Sequence, residues 1–204
     1  QGTVARDPDP QAPAPGPAAA TPEAERAYDL LFCGILNEDV KGARFFTDVV
    51  LACQARGRSL RVRVAGDGPL RAEMEERLAA AGIAAQFDGF VQQAELGAVY
   101  ASARLFLFPS RGDVWGIVLQ EALQSGAAVL ASPHSGAARE LVAAGACGAV
   151  EPMTVDGWAG AALALLDDPA RRATYRARAV PALARFSLEA ATRAYRAALA
   201  PAAG

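Results

Sequence analysis

The stretch LFLFPSRGDVWGIVLQEALQSGAAVLA, residues 105–131, indicates the fold of this chain more clearly than any other. Residues 105–108 are a short apolar run, typical of a strand buried on both faces. A turn-rich loop follows over residues 109–116, and apolar residues then recur at helical spacing over residues 117–125. Residues 128–131 are again apolar. The stretch therefore predicts a strand, a helix and a second, parallel strand.

Two acids fall within this unit, Asp113 in the loop and Glu121 in the second turn of the helix. Ligands of open parallel sheets bind at the carboxyl ends of the strands, beside helix N-termini. Carboxylates accept hydrogen bonds from the vicinal hydroxyls of a sugar, and the amides of Trp115, Gly116 and Ile117 would point at an anion. Taken singly, a loop cap is the simpler interpretation of Asp113, and a solvated helix face that of Glu121.

Composition excludes several classes of function. The chain has 204 residues, 52% of them hydrophobic, which is enough for one globular core. A formal net charge of −2 without a basic block gives no support to nucleic-acid binding. Three widely spaced cysteines and a single histidine, His134, offer no metal cluster or disulfide framework. We therefore expect no metal site and a location in the cytoplasm, with peripheral attachment to the inner face of the membrane as an alternative.

Strand and helix patterns alternate along the chain. Residues 1–26, rich in proline and alanine, read as a linker or disordered tail, and residues 27–200 as the folded domain. The alternation predicts an α/β fold, a Rossmann-like, doubly wound parallel sheet of about six strands. The predicted strands are residues 28–33, 60–65, 84–87, 105–108, 128–131 and 149–150. The predicted helices are residues 42–55, 69–81, 93–102, 117–125, 137–143, 155–166, 169–183 and 188–199.

Two glycine-containing turns suggest phosphate chemistry. Lys41 and Gly42 open a helix just after the first strand, where a lysine and the helix amides together can hold a phosphate. Gly66 and Gly68 resemble a glycine-rich phosphate loop, but Arg71 stands where the third glycine of a dinucleotide motif is needed. We interpret that second segment as a tight turn into a helix and not as a nicotinamide site.

Taken in order, these motifs resemble the C-terminal domain of family 4 glycosyltransferases, also described as glycosyl transferases group 1. The resemblance covers about residues 28–200. It depends on the segments F-x-G at 32–34, K-G at 41–42, A-G-D-G-P at 65–69, F-x-G-x-V at 87–91, F-P-S-x-x-D-x-W-G-x-x-x-x-E-A at 108–122 and G-x-x-x-E at 136–140. The resemblance implies one half of a GT-B fold, and retaining hexose transfer from a nucleoside diphosphate sugar without a metal or other cofactor.

The resemblance also implies a role for each matching residue. Lys41, Asp113 and Glu121 form the catalytic set: they would hold the diphosphate, the donor sugar and the ribose hydroxyls, respectively. The remaining donor-binding residues would supply backbone contacts to sugar and phosphate or would border the base: Gly34, Phe90, Val91, Trp115, Gly116 and Ile117.

Two positions depart from the family pattern. Asp113 replaces the usual first glutamate of the E-x7-E motif, and Ile35 replaces an arginine that often binds phosphate. Phosphate binding would then depend on Lys41 and helix amides.

The resemblance further implies partners outside these residues. The acceptor, a glycan, lipid or small molecule, would be held by a missing N-terminal Rossmann-like domain. A non-catalytic nucleotide-binding or scaffold module derived from a glycosyltransferase is the alternative function. An epimerase or phosphorylase ranks lower, because those lack this spacing of acids.

Overall fold

The computed structural model describes residues 21–199, which form a six-stranded, all-parallel sheet with helices on both faces. Its strands follow the order β3-β2-β1-β4-β5-β6. The strands are β1 Tyr28–Cys33, β2 Arg61–Ala65, β3 Ala84–Gly89, β4 Ala103–Phe108, β5 Ala128–Ala131 and β6 Ala149–Val150. The predicted Rossmann-like, doubly wound fold is therefore confirmed.

The helices alternate with the strands and then complete the chain. They are α1 Ala43–Ala55, α2 Arg71–Ala80, α3 Gln93–Ala101, α4 Ile117–Gln124, α5 Val155–Asp167, α6 Pro169–Ala184 and α7 Leu188–Leu199. The segment Ala138–Ala143, predicted as part of an ordinary helix, is π-helical. Pro69 lies two residues before the start of α2, rather than at its first position as predicted. Among residues 21–199, no helix combines the length and apolar character needed to cross a membrane.

The strand order reverses between β1 and β4. Leu30 of β1 lies opposite Val62 of β2 on one side and opposite Leu105 of β4 on the other. Successive strands are added outward from β1 in one direction, and from β4 in the other. The helices that follow β1 and β4 therefore pack on opposite faces of the sheet, and a crevice is left at its carboxyl edge.

Two apolar clusters, one on each face, hold the helices to the sheet. Because side chains alternate along a strand, Leu30 and Phe32 belong to one cluster, while Leu31 and Cys33 belong to the other. Trp158 of α5 is fully buried in the first cluster. By contrast, α7 has no buried residue.

The start of the domain is fixed by buried charge. The predicted linker or tail, residues 1–26, lies mostly outside the described residues, but Glu23–Glu25 is a short 3-10 helix and Arg26 is buried. The Arg26 guanidinium donates to the carbonyl oxygens of Ala103 (2.7 Å) and Gly126 (2.9 Å). The packed structure thus includes residues ahead of the predicted start at 27.

Glu23 is the carboxylate at the centre of this arginine cluster. It accepts hydrogen bonds from Arg172, and Arg176 lies 2.6 Å from its Oε2. Burial acts to raise the pKa of Glu23, but the hydrogen bonds and positive charges of Arg172 and Arg176 outweigh it and lower the pKa below 4.5. The ionised carboxylate therefore stabilises the fold.

We predict that Glu23→Gln destabilises the domain at pH 7 by about 3 kcal/mol, because it leaves buried arginines without their counter-charge. A lowered folded-state pKa contributes stability above the unfolded value of 4.5, and this contribution is lost as pH falls through the folded value. Urea unfolding of the wild-type protein and of Glu23→Gln should therefore show a difference in the free energy of unfolding that becomes smaller below pH 4.5. A difference that is the same at pH 7 and in acid would contradict the ionic role of Glu23.

Candidate functional site

The loops after β1 and β4 meet at the crevice through an ion pair. Lys41 Nζ lies 2.7 Å from Asp113 Oδ2, and the two side chains are only 20% and 22% exposed. The same ammonium lies 5.9 Å from the centroid of the Phe108 ring, at the end of β4. The family resemblance implies that Lys41 and Asp113 contact adjacent parts of one ligand, and the fold places the two side chains in direct contact with each other.

Backbone contacts join the same two loops. The carbonyl oxygen of Val40 accepts hydrogen bonds from the Ser110 hydroxyl (2.9 Å) and the Arg111 amide (2.8 Å). Gly42 has φ +68°, and a Cβ at this position would lie 2.2 Å from the carbonyl oxygen of Pro109. Only glycine combines this left-handed conformation with so close an approach. The position of Lys41 relative to the β4 loop is therefore fixed by the backbone.

The N-terminus of α1 is already occupied by a side chain of the protein. Glu38 Oε2 accepts hydrogen bonds from the amides of Arg44 (2.8 Å) and Phe45 (3.2 Å), and Glu38 Oε1 forms an ion pair with Arg111. A carboxylate thus fills the place where a helix N-terminus would take an anion. The amides of Arg44 and Phe45, in the part of α1 predicted to assist Lys41, are therefore paired with Glu38.

The N-terminus of α4 is open instead. Among residues 21–199, none accepts a hydrogen bond from the amides of Trp115, Gly116 or Ile117. Gly116 has φ +88°, which turns the chain into the helix. The Trp115 ring packs away from these amides against Phe186, with centroids 5.0 Å apart. The three residues therefore leave backbone donors and the positive end of the helix dipole free at this edge of the sheet, and their contact with an anion stays a prediction.

The loop after β5 supports the ion pair from the other side. The Asp113 amide donates to the carbonyl oxygen of His134 (3.1 Å), and the Ala137 amide donates to the carbonyl oxygen of Trp115 (2.7 Å). The buried Ser135 hydroxyl accepts from the amide of Ala138 (3.2 Å). These contacts involve the backbone of His134, whose side chain is exposed.

Glu121 lies one turn into α4, and both of its carboxylate oxygens are engaged. Gln93 Nε2 donates to Oε1 at 2.8 Å, and the Tyr100 hydroxyl donates to Oε2 at 3.3 Å. Neither partner was predicted from the sequence. The helical pattern over residues 93–102 gave no signal that the Tyr100 hydroxyl reaches a second helix.

A cavity of about 290 Å³ opens at the carboxyl ends of β1, β2 and β3, beside the first turn of α4, where Val118 lines it. Its walls are mainly apolar or glycine, with Asp67 the one charged side chain. The lining residues are Cys33, Gly34, Ile35, Ala65, Gly66, Asp67, Phe90, Val91, Leu96 and Val118. The cavity thus brings together three of the predicted donor-binding residues, Gly34, Phe90 and Val91. Phe90 is 79% exposed and lies at the edge of this cavity.

The chain is similar to known proteins over most of the residues that the structure describes. The profile of the family described as Glycosyl transferases group 1 matches residues 27–168. Alpha-D-kanosaminyltransferase of Streptomyces kanamyceticus is 30% identical over 155 residues, which are 74% of this chain and 40% of that protein. Phosphatidyl-myo-inositol mannosyltransferase of Mycolicibacterium smegmatis is 33% identical over 161 residues, 77% of this chain and 41% of that protein. The chain spans about two fifths of the length of these curated relatives.

Solved structures share the fold. Anabaena HepE in complex with UDP and glucose superposes with a TM-score of 0.71 at 21% identity, over 87% of this chain and 49% of that chain. The C-terminal domain of a group 1 glycosyl transferase from Francisella tularensis superposes with a TM-score of 0.70 at 20% identity, over 79% of this chain and 87% of that chain. At these identities the likeness establishes the fold alone.

The close approach of Gly42 to Pro109 gives a matched pair of variants. Gly57 also has a left-handed φ, +85°, but a Cβ there would meet nothing within 4 Å. We predict that Gly57→Ala costs about 1 kcal/mol of stability, for the backbone conformation alone. Gly42→Ala should cost several times more, because the methyl group must also separate the two loops. Chemical denaturation of both variants measures this difference, and equal losses would contradict the contact.

Proposed function

Since the chain belongs to the group 1 glycosyl transferases, we propose that it binds the donor of a glycosyltransferase, a nucleoside diphosphate sugar. The resemblance predicted from the motifs is thereby confirmed. The observation that carries the proposal is that one crevice combines the Lys41 ammonium, the free amides of α4 and a mainly apolar cavity lined by Val118, one helical turn before Glu121. The ammonium and the amides suit a diphosphate, the Glu121 carboxylate suits a ribose, and the apolar cavity suits a base.

The base, ribose, diphosphate and hexose of the donor would lie one after another along the crevice. The base occupies the cavity, bordered by Phe90 and Val91, and its ribose hydroxyls donate to Glu121. The diphosphate lies between Lys41 and the N-terminus of α4, and the hexose is next to Asp113. A cavity of about 290 Å³ is at the lower end of ligand-site volumes, about 300–1,000 Å³. It therefore suits one part of the donor and leaves the sugar near the crevice mouth.

We propose retaining transfer, in which the leaving diphosphate carries the developing negative charge. Lys41 and the dipole of α4 would stabilise that charge within a partly buried crevice, where such interactions are stronger than in water. Asp113 and Glu121 would position the donor, rather than act as the acid and base pair of a glycosidase. The positive field would thus come from groups of the chain itself, and no metal is required.

The acceptor and the base are left open by these residues. We propose that a second Rossmann-like domain holds the acceptor, since the curated relatives are more than twice the length matched here. HepE was solved with UDP, and a matched mycobacterial mannosyltransferase is described as GDP-mannose-dependent. Both uridine and guanosine diphosphates are therefore suitable probes.

A non-catalytic nucleotide-binding or scaffold module is the second candidate. The observation that favours it is the Lys41–Asp113 ion pair, because each side chain already has a partner without a ligand. A module of that kind would need neither the sugar contact of Asp113 nor an acceptor.

We predict that the chain binds UDP or GDP, and that Lys41→Ala and Glu121→Gln each weaken binding by about tenfold or more. The loss reflects one charge-assisted contact, worth roughly 1.5–3 kcal/mol. Titration calorimetry of the 204-residue chain measures these affinities. Arg58→Ala is the matched control, because Arg58 is paired with Asp167 and follows α1 at the opposite edge of the sheet.

The outcomes separate the candidates. Equal losses in Lys41→Ala and Arg58→Ala would indicate general charge attraction and contradict a phosphate site at Lys41. Absence of binding to both diphosphates would overturn donor binding and favour the scaffold.

Asp113→Asn gives a test of the ion pair itself. The substitution removes the carboxylate that competes with phosphate for Lys41, so affinity for the plain diphosphate should rise by about fivefold, from a partly buried pair worth about 1 kcal/mol. The advantage of the sugar-bearing nucleotide over the plain diphosphate should fall, because its sugar loses a carboxylate. Asp39→Asn, which changes an acid two residues before Lys41 in the loop after β1, is the control. Unchanged affinity of Asp113→Asn for both ligands would exclude the competition.

A further inference from the structure

We propose that Gln93 and Tyr100 are positioning residues that orient the Glu121 carboxylate toward ribose hydroxyls, an inference that rests on the proposed donor site. The two residues are seven apart on α3, so both side chains lie on the same helix face, which packs against α4. Each donates to a different oxygen of Glu121, at 2.8 and 3.3 Å. One helix therefore fixes the plane of a carboxylate on another.

The two donors leave the carboxylate able to bind a ligand. An ionised carboxylate has about four acceptor positions. With one position on each oxygen taken by Gln93 and Tyr100, the others remain for a pair of vicinal hydroxyls. A carboxylate already held in its binding orientation loses little freedom when the ligand arrives.

Tyr100 is a suitable donor because it is fully buried. Its ring packs edge-on against Phe106, with centroids 5.4 Å apart, and its hydroxyl also lies 3.4 Å from Cys33 Sγ. Burial, with the nearby Cys33 and Glu121, raises the pKa of Tyr100, and burial likewise raises the pKa of the Cys33 thiol. Both groups stay protonated, so the thiol can donate to the tyrosine oxygen while the hydroxyl donates to Glu121.

Glu121 lies close enough to the cavity for the orientation of its carboxylate to affect a ligand bound there. Val118 lines the cavity and is three residues before Glu121 on α4, so the two lie on the same helix face. Cys33, at the other end of the hydrogen-bonded chain, also lines the cavity. A base in the cavity would bring its ribose beside the carboxylate that Gln93 and Tyr100 hold.

The test compares each nucleoside diphosphate with its 2′,3′-dideoxy counterpart, which lacks both hydroxyls. Calorimetry on the full chain gives the ratio of the two affinities for UDP and for GDP. Gln93→Ala and Tyr100→Phe should each lower this ratio by about fivefold, the loss of roughly one net hydrogen bond. Glu121→Gln should lower it most, and adding Tyr100→Phe to that variant should have no further effect. Gln124→Ala, an exposed glutamine later on α4, is the control that should leave it unchanged.

The ratio distinguishes positioning from a merely structural role. Equal losses of affinity for the ribose and dideoxy ligands in Gln93→Ala would overturn the proposal. Gln93 is exposed, so its variant decides the question if Tyr100→Phe fails to fold. A wild-type chain that binds UDP or GDP without preferring the ribose form would overturn this inference but keep nucleotide binding. A chain that binds neither diphosphate would overturn the proposed function and this inference together.

Discussion

The parallel pairing of β1 with β4 is the contact from which the crevice follows. It places the carboxyl ends of two strands side by side, although Lys41 and Asp113 are 72 residues apart in sequence. Strand pairing alone would leave the two loops free to diverge. The Val40 carbonyl and the narrow gap between Gly42 and Pro109 hold them together. These backbone contacts between the two loops therefore set the relative positions of the charged residues Lys41 and Asp113.

Two helix N-termini face the loops at this edge of the sheet, and only one of them is capped by a side chain. The carboxylate of Glu38 caps α1 and satisfies its first amides, whereas α4 begins at Gly116 with no side-chain cap. Unpaired amides near a helix N-terminus attract anions, and capped ones do not. The phosphate of the proposed donor is therefore expected at α4 rather than at α1. Ile35, at a position where the family pattern often has a phosphate-binding arginine, lines the apolar cavity.

The sequence predicted those parts of the molecule that depend on local pattern. Apolar runs and glycine turns gave the strands, their order of appearance and the loop with Asp113, because burial and backbone conformation are encoded nearby. Contacts between side chains distant in sequence were not predicted. Neither the ion pair of Glu38 with Arg111 nor the hydrogen bond from Tyr100 to Glu121 has a short-range signal, since each depends on how two elements pack. The π-helical turn after β5 was missed for the same reason.

Lys41 is the single lysine among 204 residues, although the chain has many arginines. Its ammonium is therefore the one ε-amine that these residues offer to chemistry directed at lysine. Reagents used for biotinylation, surface immobilisation or amine cross-linking usually spread over many lysines and leave function largely intact. Among the side-chain amines of these residues they could react only in the crevice, where Asp113 Oδ2 lies 2.7 Å from Lys41 Nζ. Coupling through cysteine is no simple substitute, since Cys33, Cys53 and Cys147 are all buried.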